Sequence, residues 1–372
     1  MSRIVAALLR ILIALSLAAA AFPGPAFGDD RSSSPPARAD SLRRGGRWAL
    51  LPIVFNSPDT RLAFGVLPQY IFYTAPGTRP SAARLDAYYT QNRQFHVIVR
   101  PQIWLPGNAW RLAGKWSFKK WPTSFYGIGT ESLAEAEERF TERLADLTFE
   151  AQRQLYPGLF AGLKYSFRYG KIVDIEAGGL LEDGAVVGSA AGHASGIGAL
   201  VSWDTRDNVN FPAKGSLFQA SATFYGGVLG SDYRLDRYSL DLRQYLTLTG
   251  RHVLALQAIA TLSTGELPFR MLPGVGENLR GYGSMRYIDN DCLVLQAEYR
   301  IVPIWWRLGL TVFGGVGEVA GRMADFSFDR PKWAVGIGLR FLLFTEERVT
   351  IRQDFAFGRD ASGDYLDLNE AY

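Results

Sequence analysis

Residues that bind metals or carry redox chemistry are almost missing: the 372 residues include 1 cysteine and 3 histidines. Cys292 has no partner for an internal disulfide, and His96, His193 and His252 lack metal-ligand spacing, so neither a metal site nor zinc or thiol redox chemistry is expected. Charge of one sign is lacking too. Forty Lys and Arg stand against 36 Asp and Glu, a net of +4, spread without blocks. Nucleic acid is therefore not an expected partner. No stretch beyond the N-terminal region is long and apolar enough for a polytopic helical transporter. Nor is there a G-x-S-x-G, a Gly-rich phosphate loop or an H-E-x-x-H, so no catalytic residues and no cofactor are expected. What is abundant is aromatic and small: 13% Phe, Trp and Tyr, and 39 glycines.

The start of the chain reads as an export signal over 1–28. Arg3 and Arg10 supply a basic start, Ile11 to Ala21 an apolar run, and Ala26-Phe27-Gly28 a small-x-small cleavage site. The alternative is an N-terminal membrane anchor, but Pro23 and Pro25 close the run short of the roughly 20 residues a spanning helix needs. Residues 29–47, rich in Ser, Pro, Arg and Gly, have the composition of a disordered periplasmic leader. The folded part is expected over 48–372.

From Trp48 onward the pattern has a period of two. In 159–169 one face carries Leu159, Ala161, Leu163, Tyr165, Phe167 and Tyr169, and the other Gly162, Lys164, Ser166 and Arg168. The same alternation fills 110–119 and 237–248. A soluble sandwich alternates as well, but with strands of about 5 or 6 residues. A transmembrane strand needs about 9 to 11, apolar toward lipid and polar toward the lumen. The spacing predicts sixteen strands, at 49–55, 61–74, 82–90, 94–104, 110–120, 138–153, 159–174, 196–204, 216–225, 233–248, 252–263, 291–300, 308–318, 333–342, 348–357 and 365–372. The expected fold class is all-β: an antiparallel transmembrane β-barrel of 16 strands, in contact with outer-membrane lipid. One segment conflicts. Leu133, Ala136, Phe140, Leu144, Leu147, Ala151 and Leu155 have helical spacing, yet a strand is expected from 138 because a closed barrel leaves no edge in lipid.

Three stretches resemble the BamA/TamA family of outer-membrane assembly factors, also called bacterial surface antigens. Leu279-Arg280-Gly281-Tyr282 is similar to the family's V-R-G-F/Y loop motif, and Trp203-Asp204-Thr205-Arg206-Asp207-Asn208 with Pro212 and Gly215 resembles its D-T-R-D-N turn. Ala297-Glu298-Tyr299-Arg300, Gly336 to Arg340, Arg352-Gln353-Asp354 and Tyr372 follow the order of its C-terminal block. The resemblance implies that the segment between strands 11 and 12 folds into the lumen, carrying Leu279 to Tyr282. The family's acid on strand 13 is missing, since Phe313-Gly314-Gly315-Val316-Gly317 puts Gly315 in its place. Glu298 is then the expected lumen partner of Arg280, because Leu293, Leu295, Ala297 and Tyr299 take the lipid face and leave Glu298 inward. Without the resemblance, Arg280 reads as a solvated loop charge.

Asp204, Thr205, Arg206 and Asp207 are expected to shape a turn, and Arg340, Arg352 and Asp354 an interior charge network. Tyr372 is expected either to resemble the C-terminal signal by which barrels are recognised for insertion or to be an interface aromatic. Glu370 is expected to share the outward parity of Leu366 and Leu368. The 365–372 strand should close the barrel by pairing with 49–55 in a weak seam. The resemblance implies a factor that assembles, inserts or translocates proteins at the outer membrane, with unfolded outer-membrane proteins as clients and, since 29–47 is too short for substrate-handling modules, a separate periplasmic partner. A passive channel or structural barrel, or an outer-membrane lipid enzyme, are the alternatives.

Overall fold

A computed structural model describes residues 46–57, 61–359 and 361–372. The export signal and most of the leader thus lie outside the described residues, while Arg47 already belongs to the first strand. Sixteen strands follow: β1 (Arg47–Ser57), β2 (Arg61–Phe72), β3 (Ser81–Thr90), β4 (Phe95–Trp104), β5 (Trp110–Phe125), β6 (Glu138–Tyr156), β7 (Leu159–Ile175) and β8 (Gly192–Asp204) in the first half. The second half holds β9 (Gly215–Tyr225), β10 (Leu235–Thr249), β11 (His252–Gly265), β12 (Asp291–Trp305), β13 (Leu308–Ala320), β14 (Lys332–Phe344), β15 (Val349–Gly358) and β16 (Ala361–Leu368). Each pairs antiparallel with its neighbour in sequence, forming one sheet that curls into a nearly closed barrel. No helix among the described residues is long and apolar enough to cross a membrane; the strands do so.

The alternation sorts the two faces. On β14, Trp333, Val335, Ile337 and Leu339 are about half exposed on the outside, whereas Lys332, Ala334 and Arg340 are buried inside. An outer surface this apolar suits lipid and not water. Where helical and strand spacing conflicted, the strand prevails. Over its length β6 pairs with β5, from Trp110↔Arg153 to Phe125↔Glu138, and its inward Asp146 accepts a hydrogen bond from Arg168 of β7 at 2.5 Å. A helix could pair with neither neighbour.

The connections differ by end. Those at 126–137, 176–191, 226–234, 266–290 and 321–331 are long, and those at 157–158, 250–251 and 306–307 are short turns. Long outside loops and short periplasmic turns are the usual arrangement, which puts the start of β1 and the residues after β16 at the periplasmic end.

The seam departs from expectation. Among the described residues, β1 and β16 share no hydrogen-bonded ladder. The inward residues Ala49, Leu51 and Ile53 of β1 instead bury against Leu368, with Leu366 and Ile351 beside it. Leu366, Leu368 and Ile351 lie on the outward parity of β15 and β16, since their neighbours Arg352 and Asp367 pair with each other inside. The inner face of β1 therefore covers the outer face of β16, and Leu366 and Leu368 do not face lipid. Arg47 reaches past β16 to Glu347 and Glu346 between β14 and β15, at 3.1 and 2.6 Å. The strand expected over 365–372 stops at Leu368. Asn369 takes φ 65°, a left-handed conformation that Asn tolerates better than most residues, and this bend turns Glu370 and Tyr372 into the lumen. Glu370 is thus not outward, and Tyr372 lies neither on the final strand nor at a lipid interface.

Candidate functional site: the in-folded loop and its arginine clamp

The longest connection, 266–290, folds into the lumen. Its N-terminal part buries Phe269, Met271 and Leu272 against Phe125, Phe140, Ala194 and Leu235, with Phe269 edge-on to Phe125 and Phe140. Arg270 is held by Glu142 of β6 at 3.1 Å, and the Arg270 carbonyl accepts from Arg168 at 2.5 Å. The loop then closes on itself. Gly274 bridges Ile288, the Val275 amide donates to the Tyr287 carbonyl at 3.1 Å, and the Leu279 amide donates to the Val275 carbonyl at 2.9 Å. Val275, Leu279, Tyr282 and Tyr287 form a second apolar cluster with Cys292, Val294, Val319 and Ala334 on β12 to β14.

Those contacts carry Arg280 to the opposite wall. Its Nη2 donates to Glu298 Oε2 at 2.6 Å, its Nη1 donates to Asp354 Oδ2 at 2.5 Å, and its guanidinium lies 3.5 Å above the Phe313 ring. A planar fork can satisfy two carboxylates and stack on a ring at once, which an ammonium cannot. Gly281 has φ 110°, a region that favours glycine, and its amide donates to the Tyr365 hydroxyl of β16 at 2.8 Å. The Tyr282 hydroxyl donates to the Trp333 carbonyl at 2.8 Å and accepts from the Arg359 amide at 3.0 Å. The four-residue motif so touches β12 to β16, the five strands that end at the seam.

The acids are shared. Glu298 also accepts from Arg300 at 2.7 Å and Arg340 at 3.5 Å, and Asp354 from Arg340 at 2.5 Å and Arg352 at 2.7 Å. Through Asp367 the net runs on to Arg84 on β3. The sequence alone points to neither Asp354 nor Phe313 as a partner of Arg280. The inward parity of Asp354 was visible; which strand the loop tip would reach was not.

Gly315 matters for its lack of a side chain. A Cβ there would lie 2.8 Å from Leu279 Cδ1 and 2.7 Å from the Leu295 carbonyl. Restoring the missing acid by Gly315→Asp is thus expected to unseat Leu279 and not to add a partner for Arg280, at an overpacking cost of about 1–3 kcal/mol. Protease cleavage within 266–290 of the folded barrel should become faster.

The 204–208 turn lies at the other end. Asp204 accepts from Arg206 Nε and Nη2, both at 2.9 Å, and from Arg79 at 2.6 Å. Asp207 Oδ1 accepts from the amides of Ala213 and Lys214, and its Oδ2 from Arg348 at 2.6 Å. Thr205 Oγ1 accepts from the Ser216 amide at 3.0 Å. These bonds shape the turn and tie it to the β14–β15 connection. Among the described residues no group of three or more His, Cys, Asp or Glu is disposed to hold a metal ion.

A sixteen-strand barrel with an apolar outside and a long loop clamped in its lumen defines a class of outer-membrane protein. The Omp85 superfamily domain matches residues 80–357, and the chain belongs to that superfamily. Its place is the outer membrane. The fold is similar to that of BamA from Haemophilus ducreyi lacking POTRA domains 1–3, with TM-score 0.54 and 12% identity over 87% of this chain and 68% of that one. It is also similar to CdiB from Acinetobacter baumannii, with TM-score 0.52 and 12% identity over 89% of this chain and 66% of that one. For CdiB from Escherichia coli the TM-score is 0.53 and the identity 12%, over 87% of this chain and 61% of that one. The chain thus spans about two thirds of the length of these structures. No curated protein matches the sequence.

Proposed function

We propose that this barrel assembles, inserts or translocates client proteins at the outer membrane, without covalent chemistry, by parting β1 from β16. The observation that carries the reading is the seam, which is held by apolar overlap and ion pairs and not by a ladder. Backbone bonds in lipid have no water to replace them, so a laddered seam would resist opening. Here the free edge of β1 is the natural place for a client strand to pair. The clients are unfolded outer-membrane proteins, and a separate periplasmic partner delivers them. Depleting the protein from cells tests this: outer-membrane barrels should accumulate unfolded in the periplasm, and an unchanged outer-membrane protein profile would contradict the proposal.

A constantly open pore fits less well, because the loop folds into the lumen and is clamped to its wall. In planar bilayers the intact protein is expected to conduct weakly, and deletion of 272–287 to raise the conductance several-fold. Equal, high conductance in both would favour the passive channel.

A further inference from the structure

Beyond Leu368 the chain does not trail into the periplasm. The Asn369 amide donates to the Thr350 carbonyl at 2.7 Å, and the Asn369 side chain donates to Gln69 Oε1 on β2 at 3.2 Å. Glu370, its side chain only 1% exposed, takes both carboxylate oxygens to Arg340 Nε, at 3.0 and 2.8 Å, and accepts from Thr350 Oγ1 at 3.0 Å. Tyr372 reaches along the inner wall to β10 and β11, where it buries against Tyr245 and Ala255. Its main-chain oxygen accepts from Arg300 Nη2 at 2.8 Å, and the Arg300 guanidinium lies 5.6 Å from its ring.

These contacts grip from both sides of the seam. Gln69 is on the β1 side, and Thr350, Arg340 and Arg300 are on the β16 side, where Arg300 of β12 and Arg340 of β14 share Glu298 and Glu370. The residues used are not spare ones, since Arg300 and Arg340 are also bound by Glu298, the acid that holds Arg280. Pulling a paired, buried charge and a buried ring out of the lumen is costly, because it leaves the partner charges uncompensated.

We propose that residues 369–372 form a strap that holds β16 inside the lumen, beneath β1, and that releasing the strap lets β16 move outward to open the seam. As an element of the fold the strap stands apart from the client reading; as a control on client entry it rests on the function proposed above. The shared arginines join the strap to the loop, so a change at Glu370 is felt at Arg280.

The test places a single cysteine at Leu368→Cys in a Cys292→Ser background and measures its labelling by a water-soluble maleimide in the purified, folded full chain. With the strap intact, labelling should be slow, because position 368 lies under β1. Glu370→Gln combined with Tyr372→Ala should speed it about tenfold or more, given that each bond to a charged group is worth more than a neutral one. Heat-modifiable mobility on gels checks that the barrel is folded. Should the double variant not fold, Thr350→Val, which removes one bond to Glu370, should still speed labelling by about threefold. An unchanged rate in folded variants overturns the proposal. A raised rate with client insertion unaffected upholds the strap and counts only against the client function.

Discussion

Replacing Arg280 with Ala is expected to release the loop tip from the barrel wall. The guanidinium bridges two fully buried carboxylates, Glu298 and Asp354, and stacks on Phe313. Removing one partner of a buried pair costs about 3–5 kcal/mol, and here the lower end applies because both acids keep other arginines. Arg280→Lys should recover only part of the loss, because one ammonium cannot bridge both acids in the same plane. Protease should cut between 276 and 286 in the Ala variant while the barrel stays folded, and the denaturant midpoint should fall. If the Lys variant matched the native protein in both, the bidentate clamp would not be what seats the loop. Glu298→Gln is expected to loosen the loop less than Arg280→Ala, as Asp354 remains.

The sixteen strands were legible because alternation was strict and long, and parity is unforgiving: a slip of one residue turns every side chain to the other face. That parity placed Glu298 inward, and in the structure Glu298 binds Arg280. It did not reveal Asp354 as the second acid, because reaching β15 depends on how deeply the loop enters, which Gly315 and the Leu279 contact decide in three dimensions. The seam misled for a physical reason. Leu366 and Leu368 have the pattern of lipid-facing residues, and the sequence cannot distinguish an apolar face covered by lipid from one covered by a strand. Glu370 and Tyr372 misled in another way: a left-handed residue at Asn369 ends the alternation, and parity cannot be carried past it.

Parting of the seam is the central claim, and cysteines at Ile53→Cys and Leu368→Cys, with Cys292→Ser, test it most directly. Both positions fall in the buried cluster that β1 and β16 share. Bridging them by oxidation or a short bifunctional thiol reagent fastens the seam without touching the loop, the strap or the outer face. Client insertion by the bridged barrel, measured in cells or liposomes with the periplasmic components supplied, should fall to background, and cleavage of the disulfide should restore it. Full insertion by a barrel bridged to completion would mean that clients do not pass between β1 and β16.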